Sequence, residues 1–199
     1  MGEAMYTPPE ADLVAGAAEE GNRHYVVGIR KFLVLSIATL NAYNTYWFWR
    51  NFRDLRDASG KDLWPIPRAL FAVFFTHGLF RDVDETLRGQ GRSFAWSPDA
   101  TASAVVVLLV LSNISSNVSA RVEGAVEVVE IVSLALSMLV PFAMLPAQRA
   151  INAANGDPEG RSNDHLTAAN WIWILLGGVL WALTLVGFLM VFAGVDVEA

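Results

Sequence analysis

Three glutamates spaced along one helix face, Glu123, Glu127 and Glu130, have the clearest chemical potential in this 199-residue chain. At i, i+4 and i+7 their carboxylates could hold a cation or relay protons if that face pointed into a helical bundle. Asn113 and Asn117, in the polar half of the preceding apolar run, complete a candidate polar membrane site with Glu127 and Glu130. A plainer reading stands beside it. An acidic first turn suits the positive end of a helix dipole, and Ser112, Asn113, Ser115, Ser116, Asn117 and Ser119 are the small polar residues that join membrane helices to one another. Asp82-Val83-Asp84-Glu85 resembles a metal-binding word, but the arginines interleaved with it favour a solvated, salt-bridged face.

Other chemistry is sparse. His24, His77 and His165 lie in three separate segments, and His77 reads as an interface residue rather than a haem or metal ligand. Neither H-E-x-x-H nor G-x-S-x-G nor a P-loop occurs, and Gly89-Gln90-Gly91 lacks the rest of a dinucleotide fingerprint. The absence of cysteine excludes disulfides, thiol catalysis and Cys-ligated metal. The expectation is a non-enzyme without cofactor or metal.

Elements able to position these residues follow from composition and from the spacing of charges. Hydrophobic residues make up 54% of the chain and charged residues only 17%, against about a quarter charged in soluble domains; a membrane class follows. The net charge of −6 comes from acids concentrated in the tails, and no basic stripe outside the membrane interface suggests nucleic acid. The uncharged runs are 18 residues between Lys31 and Arg50, 21 between Asp99 and Arg121, and 18 between Glu130 and Arg149. As helices these measure about 27, 31 and 27 Å, close to the ~30 Å hydrocarbon thickness. A final uncharged run of 24 residues covers 171–194. By contrast, Ala69 to Phe80 supplies 12 residues between Arg68 and Arg81, or about 18 Å, too short to cross.

The fold class expected is therefore an all-α integral membrane protein. It has about four transmembrane helices, near 31–50, 100–120, 127–148 and 170–194, and a short interfacial or re-entrant amphipathic helix near 66–81. Three regions are expected: an acidic flexible tail over 1–28, an aromatic and arginine-rich interface module over 29–97, and a three-helix transmembrane module over 98–199. Whether 31–50 spans or re-enters stays open, and with it the side of the N-terminus. Ser97 before Pro98 and Thr167 before the last run are helix N-caps. Pro141 and Pro146 should kink or end the third helix. Asn155-Gly156 and Asp157-Pro158 mark turns. Arg50–Asp54, Arg53–Asp57, Arg81–Glu85 and Asp84–Arg88 are spaced for i, i+4 pairing.

Aromatic rings favour headgroup level and basic residues the cytoplasmic side. Tyr43, Tyr46, Trp47 and Trp49 with Arg50 and Arg53 are thus the expected interface contacts, and Phe74 and Phe75 press into the inner leaflet. The stretch from Thr39 to Arg50, TLNAYNTYWFWR, resembles the T-x-G-x-Y-x-x-Y-W-x-Y-K/R signature of uncharacterised proteobacterial inner-membrane proteins, with Asn41 in place of the usual Gly and Trp49 in place of the usual Tyr. Residues Tyr6 to Leu13 resemble a Y-x-P-P-x-A-x-L tail motif, which makes Tyr6, Pro8 and Pro9 a candidate docking word of polyproline II shape. The resemblance implies a bacterial inner (plasma) membrane location and imports no activity.

The partners expected are the lipid bilayer and either a protein partner or a second copy, packed through small-residue faces such as Gly178 to Ala182. The leading functional expectation is a multi-pass scaffold, docking or regulatory protein. A small transporter or channel using Glu127 and Glu130 is the alternative, and a membrane-shaping protein the third.

Overall fold

A computed structural model describes residues 23–119 and 126–193. Tyr6, Pro8, Pro9 and Glu123 lie outside the described residues, as does the Glu127 side chain. The described residues begin with an irregular stretch over 23–28 and continue through α1 (Ile29–Ala38), α2 (Ala42–Ser59), α3 (Pro65–Leu70), α4 (Ala72–Gly89), α5 (Pro98–Ser119), α6 (Val126–Ala143), α7 (Leu145–Ala154) and α8 (Ala168–Phe192).

Residues 31–50 do not form one span-length helix. Leu40 and Asn41 take positive φ, 48° and 67°, and the Asn41 N–H closes the turn on the Ser36 carbonyl at 2.8 Å. Asparagine tolerates this left-handed geometry because its short side chain hydrogen-bonds locally, and Asn41 stands where the resembling signature carries glycine. The chain then doubles back. Phe32 and Trp47, about 22 Å apart along a continuous helix, bring their ring centroids to 6.1 Å. The expectation of a fourth span near 31–50 is thereby replaced by a helical hairpin, α1–α2.

Contacts from distant helices fix the hairpin tip. Trp181 Nε1 donates to the Ile37 carbonyl at 3.0 Å, and Asn41 Nδ2 donates to the Ser137 carbonyl at 2.7 Å. Gly177 lets α8 touch α1 directly, since a Cβ there would strike the Ala38 carbonyl oxygen. The small-residue face expected at Gly178 is displaced by one position: Gly177 is buried, while Gly178 and Ala182 are exposed.

A second hairpin follows. The helix expected near 66–81 is interrupted at Phe71 (φ −105°, ψ 38°) and becomes α3 and α4. Lys61, before α3, pairs with Asp82, well along α4, at 3.4 Å, so the chain returns to the side from which it came. Arg68 is sandwiched at the bend, 4.6 Å from the Phe75 ring centroid and 5.9 Å from that of Phe52. Trp64, Ile66, Leu70, Phe71 and Phe74 project outward, Phe74 at 77% exposure.

Among the described residues three helices are long and apolar enough to cross a membrane: Pro98–Asn117, Val128–Ala154 and Ala168–Met190. Ser97 Oγ accepts the Ala100 N–H at 3.3 Å and caps α5; Thr167 and Asn170 cap α8 reciprocally. The second of these helices bends between α6 and α7, with Pro141 inside α6 and Pro146 in the first turn of α7. Ser133 Oγ donates to the Ser112 carbonyl at 3.0 Å and joins α6 to α5, the joining role expected of the small polar residues. The core combines Phe32, Tyr43, Trp47 and Phe80 from the hairpins with Val105, Met144 and Ile151 from the long helices.

Of the four expected i, i+4 pairs, Arg50–Asp54 forms at 3.2 Å and Asp84–Arg88 at 2.7 Å. Arg53 leans to Asp54 instead of Asp57, and Arg81 crosses to Asp99 on α5 at 2.7 Å. For Arg81 a tertiary neighbour outcompetes a pair worth only a few tenths of a kcal/mol.

Candidate functional site

Polar chemistry concentrates at one end of the molecule, where α2, α4 and α7 end and α5 and α8 begin. Its first component holds the chain entering α1. Residues up to 28 were expected to belong to a flexible tail, yet Val26, Val27 and Gly28 are buried, because side-chain amides act as a substitute β-ladder. Asn51 Oδ1 accepts the Tyr25 N–H at 3.0 Å, and Gln148 donates to the Tyr25 carbonyl at 3.3 Å. Asn152 takes the Val27 N–H and gives to the Val27 carbonyl, at 3.3 and 3.0 Å. Asn163 donates to the Val26 carbonyl at 2.9 Å, and its own carbonyl accepts the Gly28 N–H at 3.1 Å.

Every buried backbone group must find a partner, and here the amides of α2, α7 and the 155–167 loop supply them. Trp47 Nε1 and Asn152 Oδ1 hold Gln148 in place from either side. Gly160, at φ 67°, lets the loop lie on this stretch: a Cβ would meet the Val27 carbonyl carbon at 2.7 Å. The loop itself is tied by Asp157, which accepts the Arg161 and Ser162 N–H groups at 2.9 and 2.8 Å. Those hydrogen bonds hold its carboxyl below the usual range.

The second component is a buried His24–Asp82 pair. His24 Nε2 lies 3.5 Å from Asp82 Oδ2, and Arg23 and Lys61 approach the same carboxylate at 3.5 and 3.4 Å. His24 is fully buried, and neither ring nitrogen has a hydrogen-bond partner among the described residues. Desolvation pushes the imidazole down to about 4, outweighing the attraction of Asp82; Arg23 lowers it further. Asp82 thus leaves the solvated face expected for 82–85 and becomes the floor beneath His24.

The third component is a polar chamber of about 880 Å³ along α2, opposite the start of α8. Lys31, Arg50, Asp54, Asn163, Asn170 and the hydroxyl-bearing rings of Tyr25, Tyr43 and Tyr46 face it. Arg50 stacks over Tyr25 at 5.6 Å and Arg53 over Trp49 at 4.9 Å. Burial raises the Asp54 carboxyl, offset in part by Arg50.

The expected interface aromatics divide. Tyr43 and Trp47 are buried because the α1–α2 turn folds their face inward: Trp47 bonds to Gln148 in the core and Tyr43 lies at the chamber wall. Tyr46 is half-buried where it lines the chamber, Trp49 is half-buried beneath the Arg53 guanidinium, Phe74 is exposed, and Phe75 is half-buried against Phe52 at 6.3 Å. Glu130 is half-buried and lines a cavity of about 390 Å³ with Ser116, Ser133, Ser137 and Thr184. Asn113 and Asn117 bond to one another on an exposed face and do not line it. His77 Nε2 sits 3.2 Å from Ser103 Oγ.

Asn51, Gln148, Asn152, Asn163 and Lys31 escaped sequence reasoning. The available signal was a pair of amides at i, i+4, Gln148 and Asn152, among Ala147, Ala150 and Ile151 on the buried face of α7.

Over the described residues, fold and site together define an all-helical protein with three helices long and apolar enough to cross a membrane, two helical hairpins and one polar end. The chain matches no family model, no curated protein and no solved structure.

Proposed function

We propose that this chain is a small, non-enzymatic, multi-pass protein of the bacterial inner (plasma) membrane that docks or scaffolds a protein partner at its cytoplasmic face. The observation carrying this reading is the amide clamp on 25–28. It fixes Tyr25 to Gly28 at the polar end, and the Tyr6, Pro8 and Pro9 word precedes that stretch in sequence.

Membrane residence is supported by the long helices, whose apolar faces the protein leaves uncovered. Within Ala168–Met190 only Gly177 is buried, and apolar surface of that extent needs an apolar surrounding. Arg50, Arg53, Arg81, Arg88, Arg149 and Arg161 sit at the polar end, which suits the cytoplasmic side. Both hairpins then dip in from that side and return. Co-purification in mild detergent at native expression tests the docking role: a partner should be retained and then lost on combined Tyr6→Ala, Pro8→Ala and Pro9→Ala substitution. A homogeneous, partner-free chain would refute it.

The outward cluster of Trp64, Ile66, Leu70, Phe71 and Phe74 supports a second reading, in which shallow insertion shapes the membrane. Vesicle curvature that ignores Phe74→Asp would dismiss it.

A further inference from the structure

Most arginines of this chain are matched by a partner. Carboxylates pair with Arg23, Arg50, Arg53, Arg56, Arg81 and Arg88, aromatic rings flank Arg68, and the Ala153 and Ala154 carbonyls accept from Arg92. Among the described residues only the guanidinium groups of Arg30, Arg149 and Arg161 have neither an ion pair nor a hydrogen bond. All three line one cavity of about 860 Å³, walled by the start of α1, by α7 and by the loop that carries Pro158 to His165.

The charges of this cavity do not cancel. Arg30, Lys31, Arg149 and Arg161 line it with only two acids, Glu159 and Asp164. Asp164 is the counter-charge of Lys31, and His165 leans on the same carboxylate at 3.2 Å. Glu159 can offset one arginine, so four cations against two acids leave two positive charges, with histidine counted neutral. The first turn of α1 brings no acid of its own. A cleft with one sign of charge in excess focuses its field on an opposite charge, and the planar forks of arginine suit phosphate oxygens, two at a time. A phosphate monoester carries about −1.5 to −2 charge at neutral pH and cancels the surplus. A carboxylate or a phosphodiester, with a single negative charge, leaves one cation unmatched.

We propose that this cavity binds a phosphate monoester group, held by Arg30, Arg149 and Arg161. Two sources present that group, a soluble phosphorylated molecule and a lipid headgroup ending in phosphate, and the cavity recognises the chemistry they share. The proposal is independent of the docking reading above.

The test uses the full chain in neutral detergent at constant ionic strength, with the thermal midpoint as the readout. Glycerol 3-phosphate presents the monoester from solution and phosphatidic acid presents it from the micelle; phosphatidylglycerol is the diester comparison. At least one monoester should raise the midpoint saturably and by more than phosphatidylglycerol does. Arg30→Gln, Arg149→Gln and Arg161→Gln, all at exposed positions, should each weaken binding about tenfold, the worth of one charge-assisted hydrogen bond, without lowering the ligand-free midpoint. Arg88→Gln, exposed at the same end but outside the cavity, should leave binding unchanged. A response to glycerol 3-phosphate identifies a soluble source, and a response to phosphatidic acid alone identifies a lipid headgroup. No response to either monoester, an equal response to the diester, binding that ignores the three cavity substitutions, or equal weakening by Arg88→Gln would overturn the proposal.

Discussion

Acidification should loosen the polar end through His24. Its imidazole is pushed down to about 4 in the fold from 6.5 in an unfolded chain. Below pH 6.5 the unfolded chain takes up a proton that the folded chain refuses, so the stability present above that pH is lost as pH falls toward 4. At 1.36 kcal/mol per pH unit the loss is about 3 kcal/mol between pH 7 and pH 4. For a chain of this size that lowers the thermal midpoint by about 6–12 °C. The assay is thermal unfolding of the detergent-solubilised protein followed by tryptophan fluorescence, wild type against His24→Leu. The buried carboxyl of Asp54, raised by desolvation, acts in the opposite direction, favouring the fold as it takes up a proton at low pH. It is common to both proteins and cancels in the difference. Hydrogen exchange at the Val27 N–H, held by Asn152, should accelerate over the same window in wild type alone. Equal pH slopes in the two proteins would refute the reasoning, since desolvation of the imidazole would then not be what sets the acid limit.

Further expectations concern the hairpins. Gly177→Ala places a methyl group on the Ala38 carbonyl and should cost about 1–3 kcal/mol by overpacking, whereas Gly178→Ala, with open space around it, should be near neutral; thermal midpoints separate the two. Asn41→Val should destabilise the α1–α2 turn by at least ~1–2 kcal/mol because a β-branched residue resists φ of 67°, and Asn41→Gly should lose less, only the side-chain hydrogen bonds with Ser137 and Asn44, as denaturant titration would show. Cysteines introduced at Lys61 and Arg88, the only thiols in the chain, should both resist an impermeant thiol reagent in intact cells and both label in inverted vesicles. Labelling of one and protection of the other would contradict the α3–α4 hairpin.

Several features are legible in the sequence because they depend on one stretch at a time. Uncharged length alone separates the helices able to cross, 98–117, 128–154 and 168–190, from the twelve residues between Arg68 and Arg81 that cannot. Caps at Ser97 and Thr167 and the bend around Pro141 and Pro146 are equally local, since a hydroxyl or a missing N–H acts within one turn. Residues 31–50 sit at the limit of that logic. Eighteen uncharged residues satisfy the length criterion, and no count of charges reveals that the helix reverses at Asn41. The reversal needs a left-handed residue and also a hydrogen bond from Asn41 to Ser137, 96 residues away, and one from Trp181 to Ile37, 144 residues away. Only the tertiary structure brings these together. The same holds for the polar end. An amide on an apolar helix face carries no label saying whether water, lipid or another strand of the chain will satisfy it, and a histidine in a tail does not announce burial. Asn51, Gln148, Asn152 and Asn163 acquire their meaning when packing removes water from Tyr25 to Gly28 and leaves them as the partners within reach.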